Sequence, residues 1–530
     1  MEEYEMQSSN KLRSAVRQRA APSSSSDGEK GSPPTGEYSA KTVAQTSIKR
    51  VFSFTQIFFF ALTFMSSWGA MVGNMNAVFT NGGPRGLAWG IFLAVSGALA
   101  QAGSLAEMAA MQPIAGAQYH WIDHLAPTRY RRFITWMQGW ITWFAWISVM
   151  ASVANGTATG IQGLVIINNP SYVPQAWHIT LMMFAILIVG GLMNMFTFWL
   201  IPWIEMMAGI LHLALFVIFI VVFVSLAPRH DADFVFWNAE TNSGWNNPFV
   251  EWNLGLLTSV WGFVGFDGIV HMSEEVRYAK KAVPRTLFWS IALHGCLAYA
   301  MIITVLFTMG PIENVLGHVL PVIEICRQAT GSVKAATAMV SGLQVVGLAA
   351  ELANIASTSR LTWAWARDGA LPAWFSYVDK KHSVPTRSVW LPILIVMCLA
   401  CLNIASYTAF NAFMSLGTIS LFASYLIAIS CMIHARFYKP DLKPGEWTMG
   451  KLGLPVNIFA LIYTMYIMIW VPFPQYQPVT GDNMNYAAPI FIGMALFALL
   501  LWLFHGRKNW PGLNKEVIRM VVEKGEIVIK

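Results

Sequence analysis

Charge is what this chain is shortest of. Only 12% of its 530 residues are Asp, Glu, Lys or Arg, against about 25% in an ordinary soluble protein. That shortage excludes a large, solvated multidomain surface. Cysteine is also rare, with five residues: Cys296, Cys326, Cys398, Cys401 and Cys431. They suggest no disulfide framework. Cys398 and Cys401 have C-x-x-C spacing, yet they lie on an apolar run without His or Cys neighbours. Small packing residues explain them better than a redox or zinc pair. The phosphate-cradling pattern G-x-x-x-x-G-K-[ST] does not occur, which disfavours an ATP-driven pump. There is no His/Asp/Glu metal cluster and no nucleophile–base pattern, so no metal, cofactor or enzymatic role is expected. Nor does a ring-forming charge pattern or filter repeat suggest a channel.

Apolar residues make up 55% of the chain. They recur in runs, many long enough to cross ~30 Å of hydrocarbon at about 20 residues each. Twelve spans are expected, over residues 53–79, 86–110, 133–166, 177–199, 201–227, 253–275, 286–309, 336–364, 388–405, 408–435, 452–471 and 487–505. The formal charge of +7 is a matter of topology. With the N-terminus in the cytoplasm, all 34 Lys and Arg except Arg85, Arg229, Arg327 and Lys334 fall on the inner side. That asymmetry follows the positive-inside rule; a nucleic-acid partner is not expected. Residues 1–50 are polar and Ser-rich, without the apolar core of a signal peptide, and read as a disordered cytoplasmic tail. A transmembrane domain over 51–505 follows, then a cytoplasmic tail over 506–530. In that tail, the alternation Glu516-Val517-Ile518-Arg519 suggests a short amphipathic helix. The fold class is therefore an all-α polytopic membrane protein of about twelve transmembrane helices.

The stretch Ser259–Arg285 departs from a lipid-facing helix. Its apolar half carries Gly262, Gly265 and Gly268 together with a carboxylate, Asp267. Glycines let the backbone leave helical geometry, and the freed polar groups then need partners that a bound solute can supply. The bland alternative is glycine-mediated packing, with the acid satisfied by a neighbouring helix. Span one carries a matching interruption at Ser66, Ser67 and Gly69, with Trp68 between. Spans one and six stand five helices apart, where a five-plus-five inverted repeat puts its two broken helices. Ser67, Trp68, Gly69, Trp261, Gly262, Phe263, Gly265 and Asp267 are the candidate solute-binding residues. Trp68, Trp261, Phe263 and Phe266, with Trp143 and Trp146 of span three, are suited to cage an organic cation near Asp267.

Two further ionisable groups sit near the middle of spans. Glu351 lies in span eight and His212 in span five. A carboxyl at that depth costs ~3 kcal/mol unless paired, so Glu351 is a candidate to hold a proton, coordinate a cation or face solute. His212 is a candidate proton relay or a structural histidine. Glu107 and Glu205, near the inner helix ends, suit gating or structural pairing. At the inner mouth, Glu274, Glu275 and Arg277 follow span six, and Arg360, Arg367 and Asp368 close span eight. Such charges can form a cytoplasmic gate, or merely a solvated loop whose bridges contribute little.

Several stretches carry a resemblance. They are Asn81-Gly82-Gly83-Pro84, Ser104 to Met108 with Pro113 to Trp121, His271 to Glu275 through Val283-Pro284-Arg285, and Ser359-Arg360 through Pro372. On these the chain resembles the amino acid–polyamine–organocation superfamily, and within it the fungal amino acid/choline transporter family. Gly116-Ala117-Gln118-Tyr119 departs from the usual Gly-Gly-Gln-Tyr. The resemblance implies twelve helices, the inverted-repeat fold, a site between the two breaks, and import of choline, γ-aminobutyrate (GABA) or other amino acids. Several relatives carry a span-five lysine implicated in proton coupling; this chain has only His212 there. The expectation is a multi-pass, plasma-membrane secondary transporter coupled to H+, with both termini cytoplasmic. A transporter-like nutrient sensor, or a permease dedicated to a specialised metabolite pathway, is the alternative.

Overall fold

The apolar runs fold as helices. The computed structural model describes residues 48–527 apart from 240 and 317–319. The polar tail expected over 1–50 therefore lies outside the described residues up to position 47. Among the described residues, eleven helices are long and apolar enough to cross a membrane. They are spans one (Phe54–Asn81), two (Gly83–Met111), three (Arg131–Asn168), four (Ala176–Phe196) and five (Phe198–Leu226), followed by seven (Ala279–Thr308), eight (Val333–Arg367), nine (Thr386–Ala405), ten (Thr408–Tyr438), eleven (Gly450–Trp470) and twelve (Ala487–Asn509). The sixth span is present in two pieces, Pro248–Trp261 and Gly268–His271, of 14 and 4 residues. Neither piece alone reaches the ~20 residues a crossing needs. The break expected there is thus the reason that one of the twelve is not a single long helix.

Local chemistry sets where these helices begin. Ser53 caps span one in a capping box with Gln56, which satisfies two of the orphan N–H groups of the first turn. Asn247 caps the sixth span by accepting from Phe249 N and Val250 N, and Pro248 occupies the first turn, where no N–H is missed. Ser332 caps span eight through Ala335 N.

Packing sorts the spans into core and rim. Span ten has 72% of its most apolar window buried and span one 61%, whereas span twelve has 17%. Val217, Val221 and Val224 of span five and Ile492, Leu496 and Leu500 of span twelve are exposed. Their three- and four-residue spacing makes one apolar stripe on each helix, suited to lipid.

Spans one and six are joined at the basic end of the bundle. Phe52 N donates to Glu275 O at 3.1 Å, and Arg277 N donates to Phe52 O at 2.9 Å. Since Phe52 precedes span one and Val276 follows span six, the two run antiparallel, as the inverted repeat requires. Their far halves meet through glycine: a Cβ on Gly255 would fall 2.8 Å from Gly82 Cα. Shorter helices cover the ends. Gln118–Leu125 lies between spans two and three, Ala232–Trp237 between spans five and six, and Pro321–Thr330 between spans seven and eight. Lys515–Ile527 follows span twelve, with Val517 and Met520 buried.

Candidate functional site

Span one breaks at Ser66, which adopts φ 42°, ψ 40° between the helices Phe54–Met65 and Ser67–Gly73. This left-handed conformation costs an L-residue roughly 1–2 kcal/mol. Ser66 Oγ donates to Thr63 O at 2.6 Å, which helps to hold it. In span six the break runs from Gly262 to Asp267. Three-residue turns replace the helical ladder there: Phe263 N to Val260 O at 3.0 Å, Val264 N to Trp261 O at 3.2 Å and Gly268 N to Gly265 O at 3.1 Å. Gly265 has φ +85°, a conformation that favours glycine.

The two breaks lie against each other. A Cβ on Gly262 would sit 2.6 Å from Met71 Cγ and 3.4 Å from the Ser67 carbonyl oxygen. One on Gly268 would sit 2.7 Å from Phe64 and 2.8 Å from Trp146 of span three. Around this junction, Ser67 Oγ, Ser259 Oγ and Trp146 Nε1 are buried without a hydrogen-bond partner among the described residues. Unpaired buried polar atoms are unfavourable, so their presence on residues of the two opened helices and of the span-three tryptophan packed on them suits a polar ligand.

The candidate residues have different surroundings. Asp267 is fully buried, and both its oxygens are occupied: Gln118 Nε2 donates at 2.5 Å and Tyr425 Oη at 2.6 Å. His271 Nε2 lies 3.9 Å from the same carboxyl. The carboxyl is thus tied to the helix before span three and to span ten. Trp68 turns into span five, stacked on His212 at 5.0 Å and edge-on to Phe219 at 5.4 Å. Trp261 is half-buried, while Phe263 is buried. Phe266 packs on Tyr425 at 5.3 Å. Gly69 faces Leu343 of span eight. Trp143 donates to Thr362 at 2.9 Å.

Glu351 is buried on span eight, and neither of its oxygens has a partner among the described residues. No hydrogen bond or ion pair joins it to His212. Glu107 pairs with Arg436 and accepts from Thr448 and Met449 N; Glu205 makes no ion pair among the described residues.

At the basic end, span eight and the turn after span six lock together. Arg360 Nε lies 2.9 Å from Glu275 Oε1, each side chain 1% exposed, and its guanidinium sits 4.0 Å over Phe198. Arg367 grips Glu274 with two bonds of 3.0 and 3.1 Å. Asp368 accepts from Tyr119 Oη at 2.8 Å and lies 3.2 Å from His120 Nε2. Burial alone would push the Asp368 carboxyl up, but His120, Arg367 and Tyr119 together hold it below the ordinary range. Arg277 stands apart: its side chain is exposed. Five of the six gate candidates therefore form one buried cluster. Gln118, Tyr119, His120, His271, His294 and Tyr425 were not among the sequence candidates. Gln118 to His120 lay inside a stretch already singled out, and His294 was legible as an ionisable residue within an apolar run. Tyr425 gave no signal.

Comparison with known proteins agrees with this architecture. The profile described as amino acid permease matches residues 52–497. The choline transporter of Saccharomyces cerevisiae is 26% identical over 485 residues, covering 89% of this chain and 84% of its own. Amino-acid permease 2 of Neurospora crassa is 28% identical over 517 residues, covering 91% and 92%. The amino-acid permease BAT1 of Arabidopsis thaliana is 27% identical over 488 residues, covering 88% and 93%. With its antiparallel broken spans and a profile match across nearly the whole bundle, this chain belongs to the amino acid permease family of the amino acid–polyamine–organocation superfamily, a family of membrane transporters.

Proposed function

We propose that this permease carries a small nitrogenous solute, choline or an amino acid such as GABA, across the plasma membrane by proton-coupled alternating access. The observation that carries the reading is the junction of the two breaks: Ser67 packs on Gly262 and Trp146 on Gly265, Ser259 lies one turn before Gly262, and all three keep a buried side-chain polar atom without a partner among the described residues. Solute bound there would supply the missing partners and join spans one and six, which alternating access requires to move together. Asp267 acts from behind the junction. Its oxygens already accept two hydrogen bonds, so it draws a cationic nitrogen through its field. The cluster of Glu274, Glu275, Arg360, Arg367 and Asp368 serves as the cytoplasmic gate, closed in this conformation. The names of the yeast and Neurospora relatives support choline and amino acids as the first solutes to try.

Uptake of labelled choline and labelled GABA into transporter-deficient yeast tests the reading. Saturable uptake of one of them, competed by the other solutes it accepts, is the expected result. Absence of saturable uptake of any small amine or amino acid, with the protein at the cell surface, would overturn it.

A further inference from the structure

Three titratable side chains are buried behind the break of span one, and the functions proposed above use none of them. Glu205 and His212 lie on span five and His294 on span seven, each with no measurable exposure. Burying such groups among apolar helices is costly unless they are paired. Yet the carboxylate oxygens of Glu205 and the ring nitrogens of both histidines lack a hydrogen bond of normal geometry among the described residues. Only weaker neighbours approach: the Thr63 hydroxyl beside Glu205 and the Ala61 carbonyl beside His294. All three thus line the same short stretch of span one.

The spacing is that of a relay. Glu205 and His212 are seven residues apart, two helical turns, and so share one face of span five about 10 Å apart. The rings of His212 and His294 have centres 6.1 Å apart, a separation that one water can bridge. His212 is stacked on Trp68, two residues beyond the left-handed Ser66 and next to Ser67 at the junction.

We propose that His212 and His294 together bind one proton behind the break of span one, and that Glu205 passes it between this pair and the basic end of the bundle. The inference rests on the reading of the chain as a proton-coupled permease. Two imidazoles can share a proton that neither holds comfortably alone, one donating while the other accepts. The charge appears beside the indole face of Trp68, which attracts a cation. Protonation therefore bears directly on how the second half of span one packs against spans five and seven, and through Ser67 on the solute junction.

The other titratable groups on the helices packed against this pair are accounted for. On span two, whose Val95 abuts Gly295 next to His294, Arg85 lies in the first turn and Glu107 pairs with Arg436 at the basic end. Asp233 lies in the loop helix Ala232–Trp237, and His271 faces Asp267. Span one, over Phe54–Gly73, has no charged residue. On span seven, Lys280, Lys281 and Arg285 lie in its first two turns at the basic end, away from the mid-span His294. Cys296 and Tyr299 complete that helix. Glu324 pairs with Arg327 in the loop helix before span eight, which also holds Cys326. On span eight, Lys334 lies in the first turn, and Arg360 and Arg367 pair with Glu275 and Glu274. Glu351 is the rival, buried without a partner on the same span eight.

The test uses the full chain in proteoliposomes, with labelled choline and labelled GABA as probes. Two measurements are made. One is accumulation driven by a pH gradient. The other is counterflow exchange, which needs binding and rocking but no net proton movement. For one proton per solute, a one-unit gradient drives about tenfold accumulation in wild type. His294→Gln and His212→Gln are expected to lose that accumulation while keeping counterflow. Glu205→Gln is expected to reach the same level more slowly, since it lies on the path and not at the site. His294→Asn stands in if His294→Gln does not fold. Wild-type accumulation in both histidine variants, or its loss only in Glu351→Gln, would overturn the proposal while leaving proton coupling intact. A wild-type protein that exchanges solute but ignores the pH gradient would overturn the coupled reading itself, and the proposal with it.

Discussion

A carboxyl group placed among apolar helices needs hydrogen-bond partners, and Asp267 finds two. Gln118 and Tyr425 approach within 2.5 and 2.6 Å, from positions 149 and 158 residues away in the chain. Hydrogen bonds to a charged group are worth about 1.5–3 kcal/mol each. Tyr425→Phe should therefore lower the thermal stability of the purified protein without abolishing solute binding. An unchanged melting curve would mean that this bond contributes nothing. The presence of an acid beside glycines was legible in sequence, because no lipid-facing helix needs one. Its partners were not, because nothing local in Gln118 or Tyr425 announces which helix they will meet. The same holds for His212 and His294, which only the packing of spans five and seven on span one brings within 6.1 Å.

Each broken span depends on tight neighbours, and the two breaks differ in how they are made. Span six uses glycine at positive φ and at close approach, at Gly265 and Gly268. Span one uses Ser66, a residue with a side chain, in the left-handed region. The glycines were readable as a break. That Ser66, and not Gly69, is the breaking residue was not, because serine seldom adopts this conformation and no periodicity marks it. A methyl on Gly268 would press on Phe64 and Trp146 at 2.7 and 2.8 Å. Overpacking of this kind costs about 1–3 kcal/mol. Gly268→Ala should cut uptake per surface-expressed molecule far more than expression, whereas Ser66→Gly, which relieves the left-handed penalty, should fold at least as well as wild type. Equal uptake by Gly268→Ala and wild type would show that the junction has slack.

At the scale of the molecule, the basic end is closed by contacts between distant parts of the chain. Asp368 joins the end of span eight to Tyr119 and His120 before span three. Trp510, after span twelve, donates from Nε1 to the Asp368 carbonyl at 2.8 Å. Because the folded Asp368 carboxyl is held below its ordinary range, it favours the folded state above the unfolded value of about 3.9. That contribution fades as pH falls through the folded value. Thermal melts across acid pH should show wild-type stability declining there. Asp368→Asn should be less stable near neutrality and show a shallower acid decline; an equally steep decline in the variant would assign the acid sensitivity elsewhere.

Composition and run lengths determined that this chain is a helical membrane protein that crosses about twelve times, and the glycines and serines inside spans one and six marked those two as interrupted. Those properties follow from hydropathy and backbone conformational preference, which are local and additive along the chain. Which polar groups are spent on each other and which are left open was decided only by tertiary packing. Asp267 and the charges at the basic end found partners from other helices, while among the described residues the side-chain polar atoms of Ser67, Ser259 and His212 did not, and Glu205 and His294 have only the weaker approach of Thr63 and Ala61. Pairing in an apolar interior depends on distances of a few ångströms between segments far apart in sequence, and no local pattern encodes those distances.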